Sequence, residues 1–216
     1  MISETRKEIV ATGNELERLG ILDLTAGNIS VRVGDDTIAI TPSGIPYGQT
    51  TPEDIVLCAL ADGAVIEGAR RPSSELALHR AVYRARPETG AVVHTHSPYA
   101  TTLAVLRKPI PAVHYVISLL GTSEVPVVDY ATYGTAELAR HAFAGLSGST
   151  KALLLANHGT IALGADLGEA ALNARILETL AATYWRALAV GTPVILTDAE
   201  IGDVTERHLT YGQPPS

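Results

Sequence analysis

A chain of 216 residues, 46% apolar and 18% charged, has enough hydrophobic material for one sizeable core and is too apolar to be intrinsically disordered. Its formal net charge of −7 argues against nucleic acid as a partner, so an anionic ligand must be held locally, by amides and hydroxyls. The lone cysteine, Cys58, excludes an intrachain disulfide, and no run reaches the roughly 18 apolar residues of a membrane span.

Met1 to Glu8 is charged and lacks the apolar segment of a signal peptide, so a cytoplasmic location is expected. From Ser3 to Leu19 the pattern is helical, with Ser3 as N-cap, Ile9, Val10, Leu16 and Leu19 on one face and Gly20 at the C′ position. Thr25-Ala26-Gly27-Asn28-Ile29-Ser30 follows. Its glycine and small polar residues suit either a turn or a close backbone approach to a ligand.

Val31 to Val33 and Thr37 to Ile40 flank Gly34-Asp35-Asp36 as a hairpin, and the second strand runs into the small-residue loop Thr41-Pro42-Ser43-Gly44. Pro52 to Asp54 starts a short helical turn, and Ile55 to Leu60 with Ala64 to Ile66 form a second hairpin that buries Cys58. Ser73 or Ser74 then caps a helix running to about Arg86, with Glu75 in its first turn. An acid there complements the helix dipole whether or not it does chemistry.

Val92-Val93-His94-Thr95-His96-Ser97-Pro98 reads as the end of a buried strand entering a turn, with both histidines on one side because side chains alternate. His158 ends another apolar run, Ala152 to Ala156, just before Gly159. If the two strands share a sheet, three imidazoles converge, and three protein ligands with an open position is the pattern of catalytic zinc. Further on, the periodicity predicts helices over Tyr99 to Arg107, Gly134 to Leu146, Asp166 to Val190 and Asp198 to His208, with strands at Val125 to Val128 and Thr160 to Leu163. Asp166 and Glu169 suit a capping box. His79 and His141 fall within helices as surface or core polar residues, and the tail from about residue 207 has the composition of a mobile segment. Residues 1–216 therefore form a single α/β domain with a mixed sheet.

Read together, Thr25 to Ser30, Thr41 to Gly44, Ser73-Ser74-Glu75, His94-x-His96, His114-Tyr115, Ala131 to Thr135, Asn157-His158-Gly159 and Thr210-Tyr211-Gly212 resemble the class II aldolase/adducin family over nearly the whole chain. The resemblance implies a largely antiparallel sheet covered by helices. It implies zinc on His94, His96 and His158, and Glu75 as catalytic acid/base that contacts the metal when substrate is absent. It assigns Thr25, Gly27, Asn28, Ser43, Gly44, Ser73 and Ser74 to a substrate phosphate. A ring of four subunits is implied, with active sites at the interfaces. Tyr115 then serves a neighbour's site as a second catalytic group, and Tyr211 closes over it on the mobile tail.

The implied reaction cleaves a ketose 1-phosphate, L-fuculose 1-phosphate or a similar deoxy-sugar phosphate, to dihydroxyacetone phosphate and an aldehyde. Zinc stabilises the enediolate, Glu75 protonates its carbon and Tyr115 exchanges a proton at the C4 oxygen. Within the family, aldolases for 5-deoxyribulose or 5-methylthioribulose 1-phosphate share the motif set, and a dehydratase acts on the latter. The epimerases carry Asp where this chain has Glu75. Outside it, a non-catalytic adducin-like scaffold needs no histidine cluster, and a zinc hydrolase needs a hydrolysable bond. A Schiff-base aldolase needs a lysine at the site, and Lys7, Lys108 and Lys151 lie elsewhere. Within these motifs two positions differ from the fuculose-phosphate aldolases that the chain resembles: Asn157 stands where histidine is expected and Tyr133 where phenylalanine is expected, the latter near the aldehyde end.

Overall fold

The computed structural model describes residues 2–146, 148–208 and 210. In chain order its strands are β1 (Asn28–Gly34), β2 (Thr37–Ile40), β3 (Val56–Ala59), β4 (Val65–Glu67), β5 (Ala91–Thr95), β6 (Ile110–Pro111), β7 (Glu124–Val125), β8 (Val127–Val128), β9 (Ala152–Leu155) and β10 (Gly159–Gly164). Its helices are α1 (Ile2–Arg18), α2 (Leu76–Ala85), α3 (Pro98–Val105), α4 (Ala136–Gly145), α5 (Leu167–Val190) and α6 (Asp198–His208). The main sheet runs β4-β3-β2-β1-β5-β10-β9-β8; every neighbouring pair is antiparallel except β8 with β9. Among the described residues no helix is long and apolar enough to cross a membrane.

Both faces of the sheet are covered, and alternation along the strands feeds the two sides. Ile38, Ile40, Val92, Ile161 and Leu163 join the α2 and α4 side through Leu78, Val82, Leu138 and Ala142. The intervening Ala39, Val93 and Ala162 join the α1 and α5 side through Ile9, Leu16, Leu167 and Ala170. A third cluster packs Leu103, Ile117, Leu120 and Leu154 under α5. Each fully buried aliphatic of this kind contributes about 1.5–3 kcal/mol.

The elements begin and end for local reasons. Gly20 adopts φ 69°, its N–H donates to Glu17 O and that of Ile21 to Leu16 O, the hydrogen-bond pair of a Schellman stop. Ser3 is not the cap of α1: the helix already includes Ile2, which places Ser3 in its first turn. Pro126 lacks an N–H, so Val125 to Val128 is not one strand but two, β7 pairing with β6 and β8 with β9. At α5, Asp166 accepts from the Glu169 N–H as expected, whereas the Glu169 carboxylate reaches one residue further back, to the Ala165 N–H. The start of α3, just after His96, is held by Glu178 of α5, which accepts from the Tyr99 and Ala100 N–H groups at 2.9 Å.

Candidate metal centre and substrate cavity

Antiparallel pairing of β5 with β10, Thr160 opposite Thr95, sets the turn before β10 beside the end of β5. Gly159 permits this approach: a Cβ there would lie 2.3 Å from Thr95 O and 2.7 Å from His96 Cδ2. His158, in that turn, therefore stands against His94 and His96. All three ring centroids are 4.9 Å apart, with interplanar angles of 69–80°. The histidines are splayed about one point.

Glu75 completes the cluster from the start of α2, the helix that packs over this face of the sheet. Its Oε2 lies 2.9 Å from His94 Nε2 and its Oε1 3.4 Å from His158 Nε2, while His94 Nε2 and His96 Nε2 are 3.0 Å apart. One ligand atom from each of the four residues falls within 4.8 Å of all the others. His94 Nδ1 sits 2.7 Å from the Thr160 carbonyl, which only accepts, so the neutral ring donates there and turns the Nε2 lone pair to the centre. Acceptors crowded together in this way do not satisfy one another, and Glu75 Oε1 is buried without a hydrogen-bond partner. A divalent cation satisfies all of them, and three imidazoles plus a carboxylate are a donor set suited to zinc and its neighbours.

The electrostatics agree. Burial, with the neighbouring imidazole of His94 adding to the cost of a further charge, pushes His96 and His158 down to about 4, so both offer neutral nitrogens at pH 7. Burial opposes ionisation of Glu75, but His94, His158 and the Asn28 amide outweigh it and hold the carboxyl well below the usual carboxylate range.

Beside the cluster lies a cavity of about 330 Å³. All seven residues expected to bind phosphate line it: Thr25, Gly27, Asn28, Ser43, Gly44, Ser73 and Ser74. Two loops are stitched together to make it, the Ser43 N–H donating to Arg71 O and the Ser73 N–H to Thr41 O, both at 3.0 Å. Among the described residues none hydrogen-bonds to the hydroxyls of Thr25, Ser43 or Ser74, which leaves them free as donors. Gly27, at φ 83°, is required for packing as much as for a ligand, since a Cβ would lie 2.6 Å from His94 O. Lys7, Lys108 and Lys151 do not line the cavity.

The structure corrects some of these expectations and adds detail to others. Neither Ser73 nor Ser74 is the N-cap of α2; Glu75 holds that position, because Ser73 is tied to Thr41 and its hydroxyl accepts the Glu75 N–H. Asn28 lines the cavity, but its side chain is engaged: Nδ2 donates to Glu75 Oε2 at 3.1 Å, and Oδ1 accepts from His79. Of the two settings open to His79, surface or core, the structure takes the core, where it is fully buried. Asn157 turns the chain, taking a left-handed conformation at φ 54°, and accepts from Arg107 Nε; His158 Nδ1 has no partner among the described residues. Tyr115 lies outside the cavity lining, half exposed, its ring stacked on His114 at 4.6 Å. Tyr211 falls outside the described residues. Tyr133 lines the cavity, and so does Tyr130, which the sequence reading passed over because a tyrosine after a strand carries no spacing signal.

Comparison with known proteins bears on this arrangement. Residues 7–185 match the family described as Class II Aldolase and Adducin N-terminal domain. A 5-methylthioribulose-1-phosphate/5-deoxyribulose-1-phosphate aldolase of Rhodospirillum rubrum is 44% identical over 207 residues, covering 96% of this chain and 92% of that protein. An L-fuculose phosphate aldolase of Escherichia coli O6:H1 is also 44% identical, covering 95% of this chain and 94% of that protein. A solved structure of an L-fuculose 1-phosphate aldolase superposes with a TM-score of 0.91 at 39% identity, covering 95% and 96% of the two chains. The sheet order, the histidine–glutamate cluster and these likenesses agree, and the chain belongs to the class II aldolase family.

Proposed function

We propose that this aldolase cleaves L-fuculose 1-phosphate, or a similar deoxy-sugar 1-phosphate, to dihydroxyacetone phosphate and an aldehyde, with zinc as its cation. The observation that carries the reading is the convergence of Glu75 with His94, His96 and His158 beside a cavity lined by Thr25, Ser43, Gly44, Ser73 and Ser74. A dianionic phosphate suits that wall. Small residues leave room for it, and hydroxyl donors compensate its charge without a lysine.

His94, His96 and His158 hold the cation, with Glu75 as a further ligand until substrate arrives. The bound cation supplies Lewis-acid stabilisation of oxyanion charge, worth several kcal/mol in the transition state. In the cleavage direction the C3–C4 bond breaks and its electron pair stays on C3. In cleavage Glu75 must first take up a proton from solvent, which it then delivers to C3, and in synthesis the ionised carboxylate removes that proton; the Asn28 amide holds the carboxylate at Oε2 for that exchange. The proton leaving the C4 hydroxyl goes to the phenolate oxygen of Tyr115 of a neighbouring subunit in a cytoplasmic homotetramer and passes from there to solvent, and Tyr211 closes the site. The exposed position of Tyr115 supports this role.

The test is release of dihydroxyacetone phosphate from L-fuculose 1-phosphate, followed with an NADH-dependent reductase, on zinc-loaded and chelator-stripped protein. Metal-dependent release that is lost in Glu75→Gln supports the proposal; metal-independent release, or full activity in Glu75→Gln, overturns it. A second reading, 5-deoxyribulose or 5-methylthioribulose 1-phosphate as substrate, draws on the Rhodospirillum rubrum relative. It predicts a higher kcat/KM for those pentulose phosphates in the same assay.

A further inference from the structure

Strand β1 and helix α2 face each other through two polar rows. Asn28, Ser30 and Arg32 recur every second residue on β1; Glu75, His79 and Tyr83 recur every fourth residue at the start and along one face of α2. Two strand residues advance about 6.6 Å and four helical residues about 6 Å, so the rows stay in register over this length. They interleave. Glu75 Oε2 meets Asn28 Nδ2 at 3.1 Å, Asn28 Oδ1 meets His79 Nε2, His79 Nδ1 meets Ser30 Oγ at 2.6 Å, and Ser30 Oγ meets Tyr83 OH at 3.0 Å. The Arg32 guanidinium lies 4.9 Å from the centre of the Tyr83 ring.

The direction of every proton in this row follows from its carboxylate end. Asn28 Nδ2 donates to Glu75 Oε2, which leaves the Asn28 carbonyl to face His79. His79 must then donate from Nε2, and a neutral ring accepts at Nδ1. Ser30 gives its single proton to that Nδ1 and accepts from the Tyr83 hydroxyl. No polar side-chain atom of Asn28, Ser30, His79 or Tyr83 is left buried and unpartnered. His79 and Ser30 are 0% exposed and Tyr83 2%, so solvent does not compete for these bonds. Burial also keeps the ring neutral, at about 3, and pushes the Tyr83 phenol up so that it remains a donor.

We propose that His79, held as the neutral Nε2–H tautomer by Ser30 and Tyr83, is a positioning residue that fixes the Asn28 amide and through it the Glu75 carboxylate. Without the His79 donor the Asn28 amide loses what distinguishes its two ends, and can turn its oxygen toward Glu75, where two acceptors repel. The inference rests on the reading of Glu75 as the acid/base of the aldol reaction. Packing alone does not call for this row, since an aliphatic side chain fills such a space without a buried polar group.

Two measurements test it. Long-range ¹H–¹⁵N spectra of protein labelled at histidine, with His79 assigned by the signals missing from His79→Gln, should show the neutral Nε2–H tautomer in chelator-stripped and zinc-loaded protein alike. An Nδ1–H tautomer or a charged ring overturns the proposal. In steady-state kinetics His79→Phe should lower kcat about 10- to 100-fold, the usual cost of losing such a supporting bond, with KM nearly unchanged and zinc content retained. His79→Gln, whose amide can still donate to Asn28, should recover most of that loss. Equal kcat in wild type and His79→Phe overturns the proposal, as does a loss that His79→Gln does not relieve. If His79→Phe does not fold, Tyr83→Phe takes its place: a several-fold lower kcat at unchanged KM is expected, and an unchanged kcat overturns the idea. If no ketose 1-phosphate is cleaved by the wild type, the proposed function fails, while the tautomer still decides the role of His79.

Discussion

Helices α2 and α4 lie side by side on the same face of the sheet, yet they start and pack differently. Helix α4 begins with Thr135, whose hydroxyl accepts the Leu138 N–H, and buries Leu138 and Ala142 against the core. Helix α2 begins with Glu75, which caps nothing and turns its carboxylate to three imidazoles. Behind it α2 carries two stripes, the apolar Leu78 and Val82 in the core and the polar His79 and Tyr83 on β1. A cap is typically worth about 1 kcal/mol, so α2 gives up that much local stability to place a chemical group. One helix is built to hold the fold and its neighbour to hold a carboxylate.

That contrast can be broken most sharply at Glu75. Glu75→Gln should lower kcat by about 10²- to 10⁴-fold, the range for loss of a general acid/base, with little change in thermal midpoint. Leu138→Ala on α4 should do the reverse: about 2–5 kcal/mol of stability lost in denaturant titration, with the kcat of the folded protein intact. If both variants lose stability and activity together, the division between the two helices is wrong.

Acid sharpens the same distinction by a smaller amount. His79 takes a proton at about 3 in the folded chain but near its ordinary 6.5 in the unfolded one. As pH falls below 6.5 the unfolded chain is protonated first and gains population, so stability is present at neutral pH and drains away down to about 3. By pH 5 this one group should cost about 2 kcal/mol, read as a lower denaturant midpoint in metal-free protein. His79→Gln should flatten that part of the profile, whereas Leu138→Ala should shift the whole curve without changing its slope. Smallest of all, Tyr133→Phe at the cavity wall should change selectivity between aldehydes by less than about tenfold, with kcat on the preferred aldehyde little altered. Identical selectivity would remove Tyr133 from the recognition surface.

Legibility from sequence followed the range of the interactions. Hairpins around Gly34 to Asp36 and Asp62-Gly63 were readable because turn chemistry is local, and α6 was placed at Asp198 to His208 by periodicity alone. His94 and His96 were readable as a pair because a strand puts every second residue on one side. For the histidine on α2 the sequence leaves surface and core both open, although Glu75, His79 and Tyr83 at four-residue spacing already mark a stripe. What that stripe faces, Asn28 and Ser30, lies some fifty residues away and leaves no trace in local pattern. The split at Pro126 was misjudged, since a missing N–H ends a ladder only when a partner strand is there to be lost.

By itself the sequence determined the alternation of strands and helices, the three histidines at strand ends, the small-residue loops and the membership these spell out. Only the tertiary structure decided that β5 lies next to β10, which brings His158 to His94 and His96, and that α2 starts at Glu75 instead of one of the serines before it. The physical reason is that helix and strand periods, caps and turns are set by neighbours within a few residues. Strand order and the pairing of Thr41 with Ser73 are set by which buried surfaces and hydrogen bonds can be satisfied together across the whole chain.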